Sequence, residues 1–121
     1  MSNYKELEVW KQSMLLVKEV YILTKIFPKE ELFGLSSQTK RAAVSIAANI
    51  AEGVGRNYKK DTIQFLHVSR GSLYEVETLL NIALSVELIN NTEFIRICPL
   101  IEKCMQLLNG LIRYYENSNL K

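Results

Sequence analysis

The sequence predicts an all-α protein, an antiparallel up-down-up-down four-helix bundle. Apolar residues recur three and four apart along four segments, no stretch alternates with a period of two, and short connections join the segments. Connections of roughly six residues between helices of about 20 force neighbours to run antiparallel. The chain has 121 residues, 48% of them hydrophobic and 23% charged, with 5 Gly and 2 Pro. That is enough chain to bury one core and too little to divide, so residues 1–121 are read as a single domain.

The first helix is predicted over 7–27, with Leu7, Trp10, Met14, Val17 and Tyr21 on one face. Pro28 ends it, because proline lacks the amide hydrogen and clashes with the preceding turn. The segment from Lys29 to Leu35, with Gly34, forms a turn. A second, alanine-rich helix is predicted over 37–53, with Ser36 or Ser37 as its cap and Gly53 supplying a positive φ at its end. In the third helix, 60–88, Asp61 complements the positive helix end, and Phe65, Val68, Ser72, Val76, Leu79 and Ala83 share a face. The fourth, 91–115, opens on a capping box formed by Asn90 and Glu93. Pro99 lies well inside it and should kink the axis or shift the start beyond it.

Fifteen Lys plus Arg against 13 Asp plus Glu give a net charge of +2, so a basic function must be local. The N-terminal residues lack an apolar signal core, and Lys18 and Glu19 interrupt the most apolar stretch. The expectation is a cytoplasmic protein with no membrane partner. Cys98 and Cys104 are six residues apart, about 240° around one helix, which suits two reduced thiols better than a disulfide or shared metal.

A bundle helix needs one apolar stripe, and two helices here have more. On the second helix, Arg41, Ser45, Asn49 and Glu52 form a narrow polar stripe while alanines and aliphatics fill most of the remaining circumference. On the first, Leu15, Ile22 and Ile26 interrupt the polar side. The predicted partner is another copy of the chain, with Leu15, Ile22, Ile26, Ala43, Ala47 and Ala51 at the interface. The polar stripe has two readings. Arg41, Ser45, Asn49 and Glu52 could form a buried network with Glu75 and Glu77, or they could line a pore or surface groove.

The run Lys40-Arg41-Ala42-Ala43-Val44-Ser45-Ile46-Ala47-Ala48-Asn49-Ile50-Ala51-Glu52-Gly53 resembles the four-helix-bundle family of 23S rRNA intervening-sequence proteins. The likeness continues through Val9-Trp10, Tyr21, Phe27-Pro28, Glu31 and Phe33-Gly34-Leu35, then Phe65-Leu66 and the segment Gly71 to Thr78. The resemblance implies a ring-like homopentamer. The chain is also similar to the accessory proteins of diversity-generating retroelements, which implies RNA, other nucleic acid or a nucleic-acid-processing protein as partner. Many members have proline after the Val-Ser-Ile run, whereas this chain has Ala47, which leaves the second helix unkinked there.

The strongest basic cluster is Arg56, Lys59 and Lys60 around Asn57 and Tyr58, three phosphate-binding charges beside a stacking ring. A solvated turn would have the same composition, and only assembly would sum its weak attraction for phosphate. Gly53-Val54-Gly55-Arg56 follows a helix and lacks the lysine and hydroxyl of a phosphate loop. His67 is the only histidine, the serines have no base beside them, and Glu75 and Glu77 diverge on a helix. No catalytic residue, metal, cofactor or small-molecule substrate is expected. The functional expectation is a homo-oligomeric scaffold for RNA or a ribonucleoprotein; the alternative is an adaptor that binds only protein.

Overall fold

The computed structural model describes residues 3–121. Four helices organise it: α1 Glu8–Thr24, α2 Leu35–Val54, α3 Lys59–Ser85 and α4 Asn91–Glu116. Single 3-10 turns, Tyr4–Glu6 and Lys29–Glu31, lie before α1 and in the α1–α2 connection. No strand occurs among the described residues.

Hydrogen bonds between side chains and backbone record the antiparallel course of α2 and α3. Thr62 Oγ1 donates to the Gly53 carbonyl, Ser69 Oγ to the Ile46 carbonyl, and Gln38 Nε2 reaches Glu75 Oε2 at 3.5 Å. Rising numbers on α3 thus meet falling numbers on α2. Glu19 of α1 lies beside Arg96 of α4, and Leu7 beside Leu111, so that pair is antiparallel too. Each helix packs on its chain neighbours and α1 closes on α4, while the backbones of the diagonal pairs stay apart. The cross-section is therefore square, with the α1/α4 side opposite the α2/α3 side.

The inward stripes differ from those that apolar spacing selects. In α1 the buried residues are Val9, Ser13, Leu16, Val20 and Thr24, whereas the predicted Met14 and Tyr21 are each 43% exposed. Ser13 and Thr24 can be inside because their hydroxyls donate to the carbonyls of Trp10 and Val20. In α3, Thr62, Leu66, Ser69 and Leu73 precede the predicted Val76, Leu79 and Ala83, while Val68 faces outward. No buried side-chain polar atom lacks a partner among the described residues.

Several helix ends also differ. α1 stops at Thr24, and Ile26 and Phe27 continue it with tighter bonds to Leu23 and Thr24 before Pro28. α2 begins at Leu35, so Ser36 and Ser37 lie inside it; Glu31 Oε1 accepts from the Leu35 amide instead. Gly53 does not end α2 with a positive φ, since no glycine has one among the described residues. It is buried in the last turn, where α3 passes against its Cα.

α3 stops at Ser85, three residues before the predicted end, because Glu87 adopts a left-handed conformation at φ 65°. The Leu88 amide then reaches the Ala83 carbonyl and the Glu87 amide that of Leu84, the two bonds of a Schellman cap. The Asn90–Glu93 capping box is present with both bonds at 2.8 Å. Pro99 does not delay α4. It and Ile95, whose carbonyl loses a helical donor, are both exposed, so water can serve that oxygen.

Candidate functional site

Arg56, Tyr58, Lys59 and Lys60 stand together at the α2–α3 turn. Arg56 Nη2 donates to Glu52 Oε2 at 2.8 Å, and its guanidinium lies 4.6 Å from the centre of the Phe65 ring. Lys59 Nζ donates to the carbonyl of Ser118 at 3.1 Å, tying the turn to the chain's C-terminal end. Lys60 is exposed and forms no ion pair among the described residues. Tyr58 is the N-cap residue of α3, with its ring exposed and no side chain capping the first amides of the helix. The turn therefore joins one free ammonium group and an accessible ring at the start of a 27-residue helix, whose positive end Asp61 in its first turn already complements.

The polar stripe of α2 divides. Asn49 Nδ2 donates to Ser45 Oγ at 2.9 Å, and Ser72 Oγ of α3 donates to the same oxygen at 2.8 Å. Glu52 belongs to the basic turn, Arg41 and Glu75 are exposed, and Glu77 lies towards α4, where its charge reaches Cys98. The predicted residues thus do not form one buried network. Arg41, Ser45, Ser72 and Glu75, with Phe33 and Gln38, line an open polar groove of about 510 Å³ between α2 and α3.

On the opposite side of the bundle, Leu15 and Ile26 are each 52% exposed and Ile22 42%. Ile22 and Ile26 line a cavity of about 190 Å³ between α1 and α4 with Leu23 and Ile97, bordered by Glu19, Glu93 and Arg96. For Ala43 and Ala47 the predicted place at the interface is corrected. Ala43 and Ala47 are buried in this chain's own core because α2 presses its small-residue face onto its neighbours, and Ala51 is half-buried. Spacing did not mark Phe33, which is 94% exposed. Its only local signal is its position in a turn beside Gly34, the N-cap of α2, where no helix face can cover it.

A family model described as 23S rRNA-intervening sequence protein matches residues 5–110, from the first 3-10 turn through most of α4. The chain belongs to the 23S rRNA-intervening sequence protein family. This family member is also similar to a solved structure from Bacteroides thetaiotaomicron VPI-5482, described as a protein with unknown function from the S23 ribosomal protein family. The TM-score is 0.80 and the identity 25%, over 87% of this chain and 95% of that chain. No curated protein matches. Neither description names an enzymatic activity.

In this 23S rRNA-intervening sequence family protein, no helix among the described residues is long and apolar enough to cross a membrane. His67 is exposed, with Nδ1 2.9 Å from Arg70 Nη2, and no His, Cys, Asp and Glu cluster among the described residues could hold a metal ion. Both cysteines are free. Burial pushes the Cys104 thiol up to about 12, and burial followed by the charges of Glu102 and Glu77 raises that of Cys98. Raised thiols are poor nucleophiles at neutral pH, and Cys104 packs within the hydrophobic core.

Proposed function

We propose that this protein is a non-enzymatic scaffold that assembles with copies of itself and holds RNA against the α2–α3 turns. The observation that carries this reading is the outward stripe of Leu15, Ile22 and Ile26, half-exposed along one helix and continuous with an apolar cavity. Leaving such a stripe wet forgoes roughly 25 cal/mol for each Å² of apolar surface that a second copy would cover. A ring of five is the stoichiometry that the family resemblance favours.

Assembly matters for the RNA because a single turn offers one free lysine, Lys60, and one exposed ring, Tyr58. Side-by-side copies carry these turns on one rim, where their phosphate contacts add and each releases counterions.

Titration of the assembled protein with structured RNA at increasing salt tests it. Affinity should fall by on the order of tenfold or more between about 50 and 200 mM salt, and Lys60→Glu should weaken binding on every sequence. Absence of binding at the lower salt, or affinity independent of salt, rejects the RNA role. Capture of a protein partner that survives nuclease treatment, without RNA affinity, would assign the scaffold to protein instead.

A further inference from the structure

Two features at the same end of the bundle fit one another but lie on opposite sides of it. Phe33 projects from the α1–α2 turn beside the α2/α3 groove, 94% exposed. The apolar cavity formed by Ile22, Leu23, Ile26 and Ile97 opens between α1 and α4, beside the same turn. We infer that Phe33 of one copy inserts into the α1/α4 cavity of the next copy, making the contact between subunits head-to-tail. This inference rests on the self-assembly proposed above and names the residue that covers Ile22 and Ile26.

Size agrees first. An apolar cavity of about 150 Å³ accepts a benzene ring, and this one offers about 190 Å³. Charge agrees next. Beside Phe33 the groove presents Arg41 and Glu75, while the cavity is bordered by Glu19 and Arg96. Arg41 forms no ion pair among the described residues, and the Arg96–Glu19 pair is loose, at 3.7 Å with the arginine side chain 75% exposed. Arg41 can therefore meet Glu19 of the neighbour, and Glu75 can meet Arg96.

Spacing brings these contacts into register. Arg41 lies about 10 Å along α2 from Gly34, the residue next to Phe33, and Glu19 lies about 10 Å along α1 from Ile26. α1 leads into this end of the bundle and α2 leads away from it, so a ring seated at Ile22 and Ile26 sets Arg41 level with Glu19. Because knob and cavity occupy opposite sides, each copy uses both, and repetition closes a ring if the rotation per subunit permits. All α2–α3 turns then share one rim.

A mixing experiment separates this arrangement from other modes of association. Phe33 holds no place in the core, so Phe33→Ala should keep the helical circular dichroism and cooperative unfolding of the parent, with a midpoint lowered only by the lost assembly. Its self-association should weaken by about thirtyfold or more, the loss of a buried aromatic anchor. Ile22→Arg, or Ile26→Arg if the first misfolds, should do the same by blocking the cavity. Mixed together, the knob-less and cavity-blocked variants should form a heterodimer and nothing larger, because only one functional knob and one functional cavity remain.

A Phe33→Ala protein that assembles like the parent overturns the knob while leaving self-assembly in place. Two variants that each fall apart but fail to pair overturn the head-to-tail geometry. A parent protein that is itself a single chain removes both this inference and the assembly beneath it.

Discussion

Thr62 donates its hydroxyl hydrogen to the carbonyl oxygen of Gly53 at 2.8 Å, and the α3 backbone follows so closely that a Cβ on Gly53 would stand 3.2 Å from the Thr62 carbonyl oxygen. The same Cβ would meet Phe65 Cβ at 2.9 Å, a contact neither backbone-bound carbon can relieve by rotating. Replacing an interior helical glycine by alanine ordinarily stabilises by about 0.5–1 kcal/mol. At Gly53 the steric cost should win, and Gly53→Ala should lower stability by about 1–2 kcal/mol. Gly71 is the control, since nothing lies within 4 Å of its Cβ position and Gly71→Ala should stabilise. Thermal unfolding of the two variants should move in opposite directions.

Glu87 is the only described non-glycine residue with positive φ, at 65°, and it makes the turn that ends α3. Left-handed backbone costs an ordinary L-residue about 1–2 kcal/mol, partly offset by the greater freedom of glycine when unfolded. Glu87→Gly should therefore stabilise by about 0.5–1 kcal/mol. In urea the midpoint should rise with the slope unchanged. A lower midpoint would mean that the glutamate side chain contributes more than its backbone strain.

The buried Cys104 thiol gives a pH dependence with a fixed sign. Unfolded, the group ionises around 9.0, while in the fold burial pushes it up to about 12. The native state therefore keeps a proton that the unfolded chain has lost between these values. The contribution of this group to stability is fully present below pH 9 and falls as pH rises towards 12, with a slope of at most about 1.4 kcal/mol per pH unit. Cys104→Ala should lie lower at neutral pH and decline less steeply in alkali. Equal alkaline slopes for parent and variant would place the thiol in contact with solvent.

Asn90 and Glu93 exchange two 2.8 Å bonds at the start of α4, ahead of a helix that must also tolerate Pro99. Asn90→Ala should cost about 1 kcal/mol. Hydrogen exchange should rise mainly in the first turns of α4, where Pro99 has already removed one donor. Uniform acceleration throughout the four helices would instead show that this cap is coupled to global unfolding.

These residues also show what the sequence could convey. The Asn90–Glu93 box was legible because its two partners are three positions apart and act within one turn. The four helices were legible because Pro28, Gly34 and the Asn90 turn interrupt sustained helical spacing. The inward stripe of α3 was legible only at its C-terminal half, through Val76, Leu79 and Ala83, and that of α1 was not, because Ser13, Thr24, Thr62 and Ser69 count as polar in a pattern but bury their hydroxyls against carbonyls. Gly53 misleads for a related reason. Its need for no side chain comes from Phe65 on another helix, and a tertiary contact leaves no local pattern.

The same division holds for the candidate surfaces. Arg56, Tyr58, Lys59 and Lys60 were visible as a cluster because they are adjacent in sequence. That Lys59 is occupied by the Ser118 carbonyl, 59 residues away, could not be read from spacing. Leu15, Ile22 and Ile26 interrupt a polar face and mark themselves, whereas Ala43 and Ala47 fit either a core or an interface until the fold assigns them to the core.

Molar mass by light scattering on a sizing column, at micromolar concentration, tests the central claim of self-assembly most directly. The parent chain of 13.9 kDa should elute as a multiple of that mass, with a five-chain ring the favoured multiple, and Ile22→Arg should return it to a single folded chain. A parent protein that elutes folded at 13.9 kDa contradicts the account.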